Sequence, residues 1–260
     1  MNLRHLVRQV GKRLVKSTPV LRRHILPSSD YRLLGGIEEA RIAANASGGW
    51  FAARTVARQA RAYRKLIAAM KAGEPRIDFR IAAEAVAATG LSNPRLIEIG
   101  CGSGYYSEVL TTLLPGGVRY TGIDYSDPMI ARAREHYPDI AFEVADATKL
   151  PYADQAFDIA FNGVSLMHII DYQAAIREAA RVARFCIFHS VPVFDDYRTT
   201  YLGKYAYGAP VVEVVFGKQE LMSLCNDAGL RLIREWPGIA YDVHEATGHH
   251  SSAATYLFAR

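Results

Sequence analysis

The stretch Arg95-Leu96-Ile97-Glu98-Ile99-Gly100-Cys101-Gly102-Ser103-Gly104 decides how the chain is read. A short, mostly apolar run passes into glycines spaced G-x-G-x-G, with the acid Glu98 two residues before the first of them. The run predicts a buried strand over 95–99. Glycines there let the backbone turn sharply and approach a ligand with no side chain in the way. Such a loop, between a strand and a helix, is where an open α/β sheet takes its ligand. The dinucleotide fingerprint is G-x-G-x-x-G, so the spacing disfavours a dehydrogenase.

Outward from this loop the sequence alternates. Helical periodicity over 105–114, 128–136, 174–182 and 218–228 separates strand-like runs over 119–124, 141–145, 157–161 and 185–191. Two further strands are expected over 231–236 and 254–258 with no helix between them. The expectation is an α/β fold with a doubly wound, mostly parallel seven-stranded sheet whose last strand is antiparallel. No second sheet is expected. Upstream, residues 31–90 read as a helical cap or lid punctuated by Gly35-Gly36 and Gly48-Gly49, with Gly73 and Pro75 ending the long helix. Three regions result: a basic arm over 1–30, the helical extension over 31–90, and the ligand-binding domain over 91–260.

Asp124 ends the second strand, where an acid can accept both ribose hydroxyls of a nucleotide-like ligand. In register with the glycine loop, this acid, the stretch 122–129, Asp146 within 144–147, and the strand 157–161 with its exit over 162–168 resemble class I S-adenosylmethionine (SAM)-dependent methyltransferases of the small-molecule type. The resemblance covers residues 95–190 well and implies SAM as cofactor. It places Glu98, Gly100, Cys101, Gly102, Gly104, Asp124, Tyr125, Met129, Asp146, Ala147 and Asn162 at the cofactor, Asp146 against the adenine amino group. Asp158, at the start of its strand, reads as structural. Residues 197–236 and 31–49 also faintly resemble uncharacterised methyltransferases of bacterial surface-polysaccharide gene clusters, which leans toward a glycan-type acceptor.

Methyl transfer from a sulfonium is an in-line displacement that asks mainly for positioning. A hydroxyl acceptor benefits from a base, and His168 and His189 stand at strand ends as candidates, each also readable as a structural histidine. The cluster Tyr197, Tyr201, Tyr205 and Tyr207 offers ring faces and hydroxyls for a sugar or an aromatic acceptor, or else ordinary surface tyrosines. His244, Glu245, His249 and His250 lie in one loop at irregular spacing, and no metal site is expected. The expected activity is SAM-dependent transfer of a methyl group to a hydroxyl of a glycan-type or aromatic metabolite.

Composition bounds the rest. The 260 residues carry a net charge of +5, but the arm holds Arg4, Arg8, Lys12, Arg13, Lys16, Arg22 and Arg23 against Asp30 alone. The remainder is near neutral, which argues against a nucleic-acid partner. In the arm, Leu3, Leu6, Val7, Val10 and Leu14 recur at helical spacing. Such a helix suits an anionic membrane surface through residues 1–26, packing on the body or a second subunit in a homo-oligomer, or a mitochondrial transit peptide. Cys101, Cys186 and Cys225 lie far apart, as in a reduced cytoplasmic protein. The alternative function is a SAM-binding or non-catalytic methyltransferase-like scaffold held at a membrane by the arm.

Overall fold

The computed structural model describes residues 28–260. The arm's expected helix, and with it the membrane contact and scaffold role, concerns residues 1–27 and lies outside the described residues.

In chain order the elements are β1 (Ser28–Leu33), α1 (Ile37–Ser47), α2 (Ala53–Lys71), α3 (Ile77–Ala87), β2 (Arg95–Ile99), α4 (Tyr105–Leu113), β3 (Arg119–Asp124), α5 (Asp127–His136), β4 (Ala141–Val144) and β5 (Phe157–Gly163). There follow α6 (Tyr172–Val182), β6 (Ala183–Phe194), β7 (Thr200–Ala206), β8 (Ala209–Gly217), α7 (Lys218–Asp227), β9 (Arg231–Pro237), α8 (His244–Thr247) and β10 (Ser252–Ala259).

Strand β2 sits at the centre. Leu96, Ile97 and Ile99 have no exposed surface. Neighbouring strand residues point to opposite faces, so burial of all three means that both faces of the sheet are covered. Ile97 and Ile99 pack with Ile176 of α6 and Leu221 of α7. Leu96 packs on the other face with Met70 of α2, Val86 of α3 and Val109 of α4. Parallel ladders join β4, β3, β2, β5 and β6 in that order. Antiparallel β10 then lies on β6, and β9 on β10. This is the doubly wound sheet expected, with β10 running opposite to the rest.

The strand count and the upstream region need correction, because the sheet goes on beyond seven strands. His189 and Ser190 of β6 both face Thr255 of β10, which shifts the register between Ala254 and Tyr256. Ser190 adopts a φ of 55° there, and its N–H donates to Thr255 Oγ1 at 3.1 Å. Past this bulge β6 has outrun β5, whose last partner is His189. The vacated side of β6 is taken by β8, through Val193↔Phe216 and Phe194↔Gly217. Strands β8, β7 and β1 then form an antiparallel extension of the same sheet. Most of the segment that carries the tyrosine cluster is strand β7 of this extension. Tyr207 and Gly208 make a two-residue hairpin turn, with φ of 50° and 83°. Residues 31–90 accordingly begin as the end of a strand before becoming helical.

Because β8 enters beyond the end of β5, the extension stands over the C-terminal edge of the parallel sheet. The cap closes on it from the other side. A Cβ on Gly49 would come 2.3 Å from the Pro210 carbonyl oxygen, so only glycine lets the turn before α2 lie against β8.

Close packing at β3 gives a test. A methyl on Gly122 would lie 2.7 Å from the Phe142 ring and 3.0 Å from Cys101 Sγ, whereas one on Gly116 meets nothing nearer than 3.7 Å. Gly122→Ala is expected to lose about 1–3 kcal/mol by overpacking. Gly116→Ala should be neutral or slightly stabilising. Urea midpoints of the two variants against the parent check this, and equal midpoints for all three would refute it.

Candidate functional site

The glycine loop is held from below. Gly100 N–H and Cys101 N–H both donate to Ile123 O at 2.8 Å. Gly100 has φ 77°, and a side chain there would strike Ser165 at 2.5 Å. Gly104 has φ 80°, and a Cβ would meet the Phe142 ring at 2.6 Å. Both positions require glycine for conformation and for space. The loop thus runs into α4 with its backbone exposed to a ligand.

Asp124 closes β3 beside it. Its Oδ2 accepts from Gly102 N–H at 2.9 Å, and its Oδ1 from Ser126 N–H at 2.9 Å. The residue is only 8% exposed, and burial pushes its pKa up to about 6 against the pull of those N–H groups. Further hydroxyl donors would relieve that desolvation. Asp146, after β4, accepts from Thr148 N–H at 2.8 Å and Thr148 Oγ1 at 2.7 Å through one oxygen.

These groups line one cavity of about 740 Å³, within the ~300–1,000 Å³ usual for small-molecule clefts. Of the residues expected at a cofactor, Gly100, Cys101, Gly102, Asp124, Tyr125, Met129, Asp146 and Ala147 line it. Gly104, Glu98 and Asn162 do not; they build the loop from behind. Glu98 is 1% exposed and accepts from Tyr120 OH, and burial holds its carboxyl well above the usual range. Asn162 donates to Ile99 O at 3.3 Å and to Ser165 Oγ at 3.2 Å. Asp158, which ties β5 to Arg95 at the far end of the strand, takes no part.

The cap supplies walls that no motif announced. Trp50, Phe51, Gln59 and Tyr63 face the cavity. Phe51 meets Tyr125 edge-on at 5.0 Å, and Tyr63 stacks on Tyr105 at 3.6 Å. The Gln59 amide lies against Gly102, close enough that a Cβ on that glycine would touch it at 3.1 Å. Ser126 Oγ donates to Trp50 O at 2.8 Å, tying the cap to the residue that binds Asp124. The pair Gly48-Gly49 before Trp50 was the local signal for this close approach.

The two histidines part company. His168 lines the cavity, 5.0 Å from the Trp50 ring. Its Nδ1–H donates to Val212 O at 2.9 Å, which leaves Nε2 as an acceptor. Burial, and then the charge of Lys204, lower its pKa to about 3, so it is neutral at physiological pH and a weak base. His189 lies outside the cavity lining, 1% exposed, with Nδ1 at 2.8 Å from Thr255 Oγ1 and its ring stacked on Phe161. It is a bulge residue of the core.

Of the four tyrosines, Tyr207 lines the cavity and the others do not. Strand alternation explains it: Leu202, Lys204 and Ala206 share the inner face of β7, so Tyr201 and Tyr205 fall on the opposite one. Tyr201 OH sits 3.4 Å from Tyr172 OH, and Tyr197 stacks on His249. Lys204, Tyr31 and Tyr241 complete the wall instead. Lys204 is ion-paired with Glu213 of β8, and Tyr241 OH donates to the same carboxylate. Burial drives the lysine's pKa down and the glutamate's up. His244 stacks on His250, which pairs with Asp242 at 2.8 Å. Among the described residues no group of His, Cys, Asp or Glu comes together as a metal site, and no helix is long and apolar enough to cross a membrane.

Residues 97–185 match the family described as Methyltransferase domain. The demethylmenaquinone methyltransferase of Roseiflexus sp. (strain RS-1) is 38% identical over 92 residues, 35% of this chain and 38% of that one. The demethylmenaquinone methyltransferase of Beutenbergia cavernae is 29% identical over 162 residues, 58% of this chain and 64% of that one. The 27-O-demethylrifamycin SV methyltransferase of Amycolatopsis mediterranei (strain S699) is 41% identical over 96 residues, 35% of each chain. The chain thus spans less than two thirds of the length of these curated relatives. Among solved structures, a SAM-dependent methyltransferase from Clostridium acetobutylicum ATCC 824 superposes with a TM-score of 0.54 at 15% identity, over 77% of this chain and 96% of that one. The [4+2]-cyclase SpnF gives 0.55 at 18% identity, over 70% and 81%. At these identities the likeness is one of fold.

Asp124 titrates in a measurable window. Hydroxyl donors of a ligand favour its ionised form, so affinity for S-adenosylhomocysteine should be flat above pH about 6. Below that it should fall by up to tenfold per pH unit. Asp124→Ala should weaken binding about 10–100-fold at pH 7.5, from ~1.5–3 kcal/mol for hydrogen bonds to a charged group. Calorimetry across pH on both proteins checks it; a parent affinity independent of pH from 5 to 8 would remove Asp124 from the contact.

Proposed function

We propose, from the match of residues 97–185 to a methyltransferase domain, that the protein transfers the methyl group of SAM to a hydroxyl on a small aromatic acceptor. The observation that carries this reading is one cavity with two kinds of lining. Its glycine loop, Asp124 and Asp146 suit a nucleoside with a hydroxyl-rich ribose. Its lining also includes the rings of Trp50, Tyr207, Tyr31 and Tyr241 with His168 and Lys204, and apolar side chains such as Met167 and Ile170.

The residues fit SAM on features of the chain itself. The loop brings the backbone of Gly100, Cys101 and Gly102 to the cavity wall, and the desolvated Asp124 carboxylate beside it can take further donors. When bound, SAM supplies a methyl group already activated on a sulfonium. The protein then has to hold the acceptor oxygen in line with it and keep water away. Flat ring walls do this for a flat acceptor. That favours the aromatic half of the expected acceptor range over the glycan half. His168 presents a neutral ring to the same cavity, and its low pKa makes it a wall and a hydrogen-bond acceptor rather than the base that removes a proton.

The relatives named for demethylmenaquinone and 27-O-demethylrifamycin SV support a small-molecule acceptor, and the second name supports oxygen as the atom methylated. In this reading residues 31–90 act as the cap and 91–260 as the catalytic domain. Fold alone does not set chemistry, as the superposition with a cyclase illustrates.

Titration calorimetry with SAM and S-adenosylhomocysteine, beside NAD, comes first; micromolar binding of the first two and none of NAD is expected. Label from methyl-labelled SAM should then pass to members of a panel of phenols and naphthols and not to sugars. A folded protein that binds neither SAM nor its product would overturn the proposal, and transfer to sugars alone would overturn its acceptor class.

A further inference from the structure

Lys204 and Glu213 form an ion pair in the wall of a cavity, with side chains 6% and 0% exposed. Two charges taken out of water are costly, and a pair of apolar residues would hold β7 to β8 at least as well. The pair is also more than a tie between strands. Lys204 and Tyr241 both line the cavity, and Tyr241 OH donates to Glu213. The Lys204 ammonium lies 5.5 Å from the centre of the Tyr31 ring, another cavity wall. His168 lines the same space from the exit of β5 and feels the Lys204 charge. The pairing of β8 with β6 beyond the end of β5 holds this polar cluster beside the same cavity as Gly100 and Asp124.

We propose that Lys204, backed by Glu213 and Tyr241, receives the acceptor hydroxyl as its anion, so that the acceptor is a phenol or enol rather than an alkyl alcohol. The inference rests on the methyl-transfer reading above and names the acceptor class for the same cavity. Lys204 and Glu213 together hold one shared proton and no net charge. The acceptor O–H bond breaks with its proton passing to this pair, which becomes a lysine ammonium beside a protonated carboxyl. The oxygen anion then bonds to the methyl carbon while the carbon–sulfur bond breaks and its electron pair stays on sulfur. The pair returns the extra proton to solvent. A phenol or enol gives up its proton to such a pair, and an alkyl alcohol is far too weak an acid. Burial, which moves Lys204 and Glu213 each toward its neutral form, fits a pair that can take on a proton. The groups facing Lys204 are Glu213 on β8, Tyr31 on β1, His168 after β5 and Tyr241.

The probe is 4-nitrophenol, whose anion absorbs in the visible, with 4-nitrobenzyl alcohol as the non-acidic control. Both are titrated into the full chain with S-adenosylhomocysteine present. The parent should bind the phenol as its anion, at a pH where the free probe is mostly protonated, and at least tenfold more tightly than the alcohol. Lys204→Met should lose both the visible band and the tenfold preference while its affinity for S-adenosylhomocysteine changes less than twofold. Because Lys204→Met strands Glu213, the double variant Lys204→Met/Glu213→Leu removes both charges together and is expected to fold and to show the same loss. A parent that binds S-adenosylhomocysteine but never ionises the probe overturns the proposal. So does a folded double variant that ionises it as the parent does. A parent that ionises the probe yet binds no S-adenosylhomocysteine supports the Lys204 assignment and defeats the methyl-transfer reading instead.

Discussion

Two residues of β6 facing one of β10 set the geometry on which the rest depends. At His189–Ser190 the strand gains a residue, Thr255 Oγ1 is shared between the His189 ring and the Ser190 amide, and the backbone bends. Past the bend β6 runs on beyond the end of β5 and pairs with β8, and β8 brings β7 and β1 with it. The cavity then has a wall of strand backbone where the parallel sheet alone would end in loops. His168 is fixed by this arrangement too, since the carbonyl that sets its tautomer belongs to Val212 of β8.

The two halves of the cavity are made in different ways. The half around Gly100 and Asp124 is a backbone device: positive-φ glycines, two strand-end acids and amide N–H groups, all fixed by the parallel sheet. Little side-chain freedom is lost on binding there. The other half depends on side chains from three remote regions, the turn before α2, the hairpin β7–β8 and the segment around Tyr241. Rings fix shape, and a single buried polar cluster fixes orientation. In the proposed reading the first half holds SAM, and the second is free to vary with the acceptor.

This division also explains what could be read from the chain. Residues 95–191 announced their strands and helices because each signal is local: an apolar run, a glycine turn, an N-cap such as Ser126. Asp124 and the glycine loop were legible because a sharp backbone turn and an acid at the neighbouring strand end form a short, local pattern. The three-stranded extension was not. Its inner face carries Lys204 and Glu213, and nothing local in the sequence announces their pairing across β7 and β8. Tyr201 and Tyr205 looked like ligand groups for a related reason, since aromatic residues do not reveal which face of a strand they occupy. The alternation over 200–206, the Tyr207-Gly208 turn and the run of valines over 211–215 did carry a hairpin signal. Strand β1 is broken by a register shift between Ser29 and Arg32 and gave none.

The pairing of β1 with β7 has a bearing on how the chain acquires its form. Strand β1 emerges before every other described element, yet its partner comes after the whole Gly100–Asp124 region has been made. The support for the bulge, Thr255, belongs to β10, the last strand of all. Contacts so far apart in sequence form slowly, and local units are completed ahead of them. During synthesis the Gly100–Asp124 side of the cavity is available for assembly first, and the opposite wall closes only when β1 has met β7 and β10 has met β6.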